Sequence, residues 1–275
     1  MHGVSRSLLI VAKYHGGDIL VNNQHAWTID VMEQGDTVTL LLPAEQASEK
    51  IENCTAPIDI LYEDADYLIL NKPAGVATVP AHHVMVADSL VNRVKYYYQT
   101  NQYENQVTHV ATRLDKDTSG IVIFPKHRFA HTVLDQQLKK HQIRKYYTAL
   151  VSGELETGHG LIDAPITRDP DSFVKRQVAL NGKSAQTEFW VQNVGQQVSQ
   201  VNIMLHTGRT HQIRAHFAAF GHPLLGDEMY GTGSALITRQ ALHCRQVTFY
   251  SPFQQKMIDV HCTQPDDMQK IIKAL

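Results

Sequence analysis

A chain of 275 residues with 43% hydrophobic and 19% charged residues can bury a sizeable core without disulfide or metal staples. A formal charge of -2 withholds the basic excess of a general nucleic-acid binder, so any polyanion track must be local. No apolar run is long enough to cross a bilayer, no signal pattern opens the chain, and Cys54, Cys244 and Cys262 are odd in number and far apart; a cytoplasmic protein with reduced thiols is expected.

Residues 1–43 read as a small unit. Ser5 caps a short helix through Ala12, Gly16-Gly17 breaks it, residues 19–23 form a strand ending in a turn, and Gly35-Asp36 leads into a second strand over 37–42, stopped by Pro43. This order is similar to the alpha-L RNA-binding module found in a ribosomal protein and many RNA-modifying enzymes. The module normally opens with one more helix, so the resemblance implies a truncated unit, RNA-binding or a structural remnant. Residues 44–57 are polar, rich in Glu and Gln, and expected to be a linker; 58–275 form the main domain.

In that domain, strands are predicted at 58–62 and 67–70 around the acidic turn Glu63-Asp64-Ala65-Asp66, then a helix capped by Asp88 with Leu90, Val91, Val94 and Tyr98 on one face. Thr112-Arg113-Leu114-Asp115-Lys116-Asp117-Thr118-Ser119-Gly120 follows, a charged loop feeding the apolar run 121–124. Catalytic groups favour such places, since the scaffold holds them while substrate reaches them, although most charged turns are only turns. Phe129, Ala130, Val133, Leu134 and Leu138 repeat at helical spacing. This leaves Lys126, Arg128, Lys139, Lys140, Arg144 and Lys145 as a basic strip against the single acid Asp135, a candidate track for an RNA backbone.

Strands are predicted at 143–151 and 185–191, the latter pairing as a hairpin with 201–205. After a turn at Gly208 comes a helix with Ile213, Phe217 and Phe220 on one face, closed by Gly221. Short strands at 247–250 and 257–260 and a helix near 268–275 complete the chain. Strands dominate without regular crossover helices, which predicts an α+β fold with a mixed, mainly antiparallel sheet.

The chemistry can be narrowed by elimination. There is no His-Glu-x-x-His, no Cys-x-x-Cys, no P-loop, and no Gly-x-Ser-x-Gly around Ser119. His206, His211 and His216 recur every five residues, which turns each ring away from the last on a helix; His127 and His131 lack a third ligand nearby, so no metal is expected. A carboxylate loop, a tyrosine strand and an arginine helix remain. Arg209, His211, Arg214 and His216 crowd the predicted first turns after Gly208, where free N–H groups also favour anions. An arginine within reach of Asp115 would keep that carboxylate ionised; a buried salt bridge with no chemical duty is the plain alternative.

Four long segments, in order, carry a resemblance: Thr112 to Gly120, Lys145-Tyr146-Tyr147-Thr148-Ala149-Leu150-Val151-Ser152-Gly153, Leu205-His206-Thr207-Gly208-Arg209-Thr210-His211-Gln212-Ile213-Arg214-Ala215-His216, and Arg239-Gln240-Ala241-Leu242-His243. Lys72-Pro73-Ala74-Gly75, Gly182-Lys183-Ser184-Ala185-Gln186-Thr187 and Gly226-Asp227-Glu228-Met229-Tyr230-Gly231 support them. Together they resemble the RluA-type pseudouridine synthases. The resemblance implies a mixed sheet with a central catalytic cleft, and a reaction in which uridine in RNA is detached from its ribose, turned over and rejoined through carbon without cofactor or metal.

By the same resemblance Asp115 is the catalytic aspartate, as nucleophile or as base. Tyr147 stacks on the target base and can assist proton removal, Arg214 pairs with the carboxylate, and Leu242 walls the base pocket. Arg113, Lys72, Arg209 and His211 are the further expected substrate-binding residues. The chain departs from the pattern at Thr112, where the family usually has His; a hydroxyl still hydrogen-bonds but carries no positive charge. Large-subunit ribosomal RNA is the expected partner, transfer RNA the second, and a monomer the default. The competing readings are an inactive RNA-binding or ribosome-assembly protein of the same fold, and a glycosidase or phosphate-ester hydrolase using Asp115 with Asp117, whose spacing does not set them across a sugar.

Overall fold

The Ser5 hydroxyl accepts the Leu8 N–H and starts α1 (Arg6–Tyr14), whose Leu8 and Ala12 turn inward at i and i+4. In the computed structural model, which describes residues 4–80 and 88–275, this helix packs on a small antiparallel sheet of order β2-β1-β3, made of β1 (Asp18–Val21), β2 (Gln24–His25) and β3 (Val38–Leu41). Asn22 and Asn23 form the two-residue turn between β1 and β2 with φ of 50° and 65°, the hand such a hairpin demands.

Residues 42–59 carry no helix or strand, but the segment is tied down. Buried Glu45 pairs with His109 at 2.9 Å and Arg128 at 3.0 Å, while Asn92 holds the Glu52 carbonyl and Lys95 those of Ser48 and Ile51.

The larger body continues with β4 (Ile60–Glu63), β5 (Tyr67–Lys72), α2 (Leu90–Thr100), β6 (Ser119–Pro125), α3 (Arg128–Lys139), β7 (Arg144–Ser152) and β8 (His159–Asp163). Then come β9 (Ile166–Arg168), β10 (Arg176–Val178), β11 (Gln186–Val194), β12 (Val198–Leu205), α4 (Gln212–Ala219), β13 (Leu242–Ser251), β14 (Lys256–His261) and α5 (Asp266–Ile272). Nine strands form one sheet of order β4-β5-β6-β13-β7-β12-β11-β8, with β14 on β13; its strands pair antiparallel except β6 with β13. The fold is thus α+β with a mixed, mainly antiparallel sheet, as its pattern of apolar runs predicts.

Strand β6 explains the layering. It is buried along its whole length because side chains alternate between two cores: Ile121 and Ile123 join Ala130 and Leu134 of α3, while Val122 and Phe124 join Leu90, Val91, Val94 and Tyr98 of α2. Gly120 sits where the charged loop enters β6 beside β13. Its φ is 114°, and a Cβ there would stand 2.2 Å from the Cys244 carbonyl oxygen, so only glycine lets the loop approach β13 this closely.

Several expectations are corrected. Helix α2 is capped by Ser89 in a capping box with Asn92, and Asp88 instead pairs with Arg93 at 2.7 Å. Helix α4 begins only at Gln212, so Arg209 and His211 precede it. Strands β8, β9 and β10 were not predicted, being short and without a buried face to mark them. The basic strip does not form one wet face. Lys126 is buried against Glu63 at 3.0 Å with its ammonium 4.1 Å from the Tyr103 ring centre, and Arg128 is bound to Glu45; Lys140 and Arg144 stay exposed. Nor are the α3 histidines free: His127 caps the helix through Nδ1 and faces Asp66 at 2.9 Å, and His131 stacks on His109.

The β6–β13 junction also holds a buried histidine. His243 Nδ1 lies 3.0 Å from the Ser119 hydroxyl and Nε2 3.1 Å from the Cys262 sulfur, and burial pushes its pKa down to about 4. Since the unfolded chain binds this proton near pH 6.5 and the folded chain only near 4, the stability it contributes is present above pH 6.5 and lost as pH falls toward 4. Urea denaturation at pH 6.5 and 4.5 should show a loss in the wild type about 2 kcal/mol greater than that in His243→Gln; equal pH dependence in both would contradict this account.

Candidate active site

The loop Thr112 to Gly120 opens into a cleft of about 770 Å³, walled by residues 77–79, the end of α3, Ile143, Lys145 and Tyr147 of the β7 region, and residues 205–211. A narrower recess of about 70 Å³ adjoins it, bringing together Asp115, Tyr147, Leu205, His211, Arg214 and Leu242. Six residues spread over more than a hundred positions meet because β7, β12 and β13 are neighbours in the sheet. Tyr147 is registered with Ile203 on one side and Cys244 on the other, next to Leu242 at the start of β13.

Three flanks fix the charged loop. The Thr78 hydroxyl donates to the Leu114 carbonyl at 2.8 Å and accepts its N–H at 3.1 Å, the Lys72 ammonium donates to the Lys116 carbonyl at 2.8 Å, and Arg239 donates to the Asp117 carbonyl at 3.1 Å. Within it the Thr118 N–H closes a turn on the Asp115 carbonyl. Backbone held at this many points gives a side chain one place to stand, which is what a reacting group requires.

Asp115 keeps 28% of its side chain exposed, and its Oδ2 accepts from Arg214 Nη1 at 3.0 Å. The other edge of the same guanidinium is gripped by Asp227, Nε to Oδ2 at 2.6 Å and Nη2 to Oδ1 at 2.9 Å, a bidentate fork between two buried side chains. Burial works against the Arg214 charge. The Asp227 hydrogen bond and the charges of Asp227 and Asp115 outweigh it and raise its pKa, so the guanidinium is permanently positive. Asp227 was missed as a site residue in sequence; Gly226-Asp227 in the supporting segment was the available signal.

Tyr147 is 5% exposed, and burial, with a smaller contribution from Cys244, pushes its phenol well above the ordinary tyrosine value. It is a neutral phenol at physiological pH. Leu242 and Leu205 supply dry walls. Arg113 and Arg209 are exposed at the cleft, Arg209 leaning its Nε on the Ser184 carbonyl at 3.0 Å. Lys139 and Lys145 are the members of the basic strip that line the cleft, and burial lowers the Lys145 pKa.

Lys72, expected to meet substrate, is enclosed within the protein. It is 0% exposed and its ammonium donates to the carbonyls of Pro73, Val76 and Lys116, so it ties one loop to another; burial pushes its pKa down to about 7. Thr112 is buried too, its hydroxyl accepting the Ile123 N–H at 3.1 Å, so at this position the side chain extends the pairing of the loop with β6. The three regularly spaced histidines part company. His206 meets Glu188 at 2.8 Å, His216 lies between Thr187 and the Ala164 carbonyl, and His211 faces Asp115 and Tyr230.

Known proteins resemble this chain in sequence and in fold. The family model described as RNA pseudouridylate synthase matches residues 66–219. The uncharacterized RNA pseudouridine synthase YjbO of Bacillus subtilis is 40% identical over 99% of this chain and 95% of its own length. The ribosomal large subunit pseudouridine synthase D of Nitrosomonas europaea is 32% identical over 88% of this chain and 72% of its own. Among solved structures, human RNA pseudouridylate synthase domain containing 1 shares the fold, with a TM-score of 0.63 and 22% identity over 81% of this chain and 96% of that one.

The two carboxylates on Arg214 should behave differently. Asp227→Ala strips a buried guanidinium of its forked partner and is expected to cost about 3–5 kcal/mol in urea denaturation, whereas Asp115→Asn, at the rim, should cost about 1 kcal/mol or less. A larger loss in Asp115→Asn would invert the assignment of clamp and free carboxylate.

Proposed function

The chain belongs to the RNA pseudouridylate synthase family, and from that premise we propose that Asp115 is its reacting carboxylate and large-subunit ribosomal RNA its foremost substrate. The observation that carries the reading is a carboxylate anchored by one oxygen to a buried arginine, at the mouth of a recess walled by a tyrosine ring and two leucines. Isomerising uridine to pseudouridine breaks the ribose–nitrogen bond, turns the base and forms a ribose–carbon bond. All atoms are conserved, so the task is to offer negative charge at one point and to hold the free base while it turns.

Asp115 meets the first need. Arg214 fixes its orientation, so Asp115 is set to attack the ribose or to take a proton from it. Tyr147 and Leu242 meet the second. A uridine turned out of its stack costs a few kcal/mol, which stacking on an aromatic ring and contacts to its phosphates can offset. Because burial keeps the Tyr147 phenol neutral, its expected part is the flat contact, and proton removal falls to Asp115. Arg113, Arg209, Lys139 and Lys145 around the cleft are the phosphate contacts of this reading. Residues 1–43 are proposed to be an alpha-L-like unit with an auxiliary RNA contact, and the protein a cytoplasmic monomer.

The ribosomal substrate is favoured by the relatives named for the large ribosomal subunit, at 31–33% identity. Purified protein is expected to form pseudouridine in unmodified large-subunit ribosomal RNA, and Asp115→Asn to abolish it with the thermal transition preserved. Mapping pseudouridine in cells with and without the gene should reveal lost sites in that RNA; lost sites confined to transfer RNA would move the substrate, and full activity of Asp115→Asn would reject the assigned chemistry.

A further inference from the structure

His211 has the least ordinary backbone of the site. It occupies the N-cap of α4, where extended angles are usual, yet has φ 56° and ψ 19°, and its side chain caps nothing. The ring, 8% exposed, turns into the recess instead, with Nε2 at 3.7 Å from Asp115 Oδ2 and Nδ1 at 3.1 Å from the Tyr230 hydroxyl. Tyr230 decides where the protons lie. Its oxygen accepts the Arg176 N–H at 2.7 Å, and its own proton is free to point to His211 Nδ1; in that arrangement Nδ1 is the acceptor and the ring N–H is on Nε2, facing Asp115.

Tyr230 is itself well fixed. Its N–H lies 3.3 Å from Asp227 Oδ1, and the Arg214 guanidinium stands 5.1 Å from its ring centre. The segment Gly226 to Gly231 therefore supplies both the clamp on Arg214 and the orienting partner of His211. Charged groups acting on the ring are Asp115 and Asp227 on one side of the balance and Arg214 and Arg176 on the other, while burial, the largest influence, lowers its pKa and favours the neutral form.

We propose that His211 is a positioning residue: a neutral imidazole, held as the Nε2–H tautomer by Tyr230, that donates to Asp115 Oδ2 when RNA fills the cleft. The proposal rests on Asp115 as the reacting carboxylate. The 3.7 Å gap is longer than a hydrogen bond, and contacts of this kind close in the loaded site. Arg214 and His211 then address the same oxygen, Oδ2, and Oδ1, which accepts no hydrogen bond among the described residues, is the oxygen presented to the nucleotide.

The test begins without catalysis. Nitrogen-15 spectra of imidazole-labelled protein should show His211 protonated on Nε2 in the wild type and a mixture of tautomers in Tyr230→Phe; an Nδ1–H ring in the wild type would overturn the proposal even if every His211 variant failed to fold. In turnover on ribosomal RNA, His211→Asn accepts the left-handed backbone but is too short, and should lower kcat about 10- to 100-fold with KM changed less than about threefold. His211→Gln places an N–H near the Nε2 position and should recover most of that loss. Equal loss in Gln and Asn variants, or a change in KM alone, would mark His211 as structural or RNA-binding and overturn the proposal. If Asp115→Asn is inactive while His211→Asn is unimpaired, the inference fails and the assigned function stands; an inactive wild type defeats the function, and the tautomer still judges the proton geometry.

Discussion

Arg214 placed between two carboxylates is the constraint on which the site depends. A buried guanidinium needs a partner for each edge, and this one has Asp227 across Nε and Nη2 and Asp115 on Nη1. The roles are unequal because exposure is unequal: Asp227 is enclosed and serves the arginine, whereas Asp115 is partly open to the cleft and is served by it. One positive charge between two negative ones leaves an excess of one negative charge at the rim. Cleaving a ribose–nitrogen bond develops positive charge on the sugar, so the excess lies where the proposed reaction can use it.

The fold exists, from the viewpoint of this site, to bring β6, β7 and β13 side by side. The single parallel pairing of the large sheet, β6 with β13, puts the end of the charged loop against the start of the strand that begins with Leu242. Gly120 permits the approach, and His243 with Ser119 fills the space beneath it. Chain segments far apart in sequence thus share one rim, and the helices α2 and α3 bury β6 from both faces in close-packed surroundings.

What sequence could and could not reveal follows from the range of each interaction. The strands and the faces of α2 and α3 were readable because apolar periodicity is local, and Asp115, Tyr147, Arg214 and Leu242 because they sit in long ordered segments. Partnership between distant side chains leaves no local mark. Lys72 reads as a substrate-binding lysine until three carbonyls and complete burial are seen; Lys126 and Arg128 read as part of a basic strip until Glu63 and Glu45 arrive from elsewhere. The start of α4 was misplaced for a related reason. Arg209 and His211 follow the turn at Gly208, where a helix could have begun, but the Gln212 side chain accepts the Arg209 N–H and the Thr207 hydroxyl, turning the chain so that the helix begins later and His211 is driven into the left-handed region.

This late start separates two kinds of residue that sequence had grouped together. Arg209 stays outside, exposed on the cleft, while His211 and Arg214 are drawn inward to Asp115. Groups on the inside are few, and the Asp115–Arg214–Asp227 chain among them is hydrogen-bonded before any RNA arrives, which is the condition for electrostatic help in a reaction. Groups on the outside, Arg113, Arg209 and Lys139 among them, are exposed, whereas Thr112 is buried and carries a backbone tie to β6 in place of a charge. A synthase of this plan can change the RNA it recognises by altering the rim while the centre stays fixed. On the proposed function, the choice of uridine falls to the cleft wall and the isomerisation to the Asp115–Arg214–Asp227 chain.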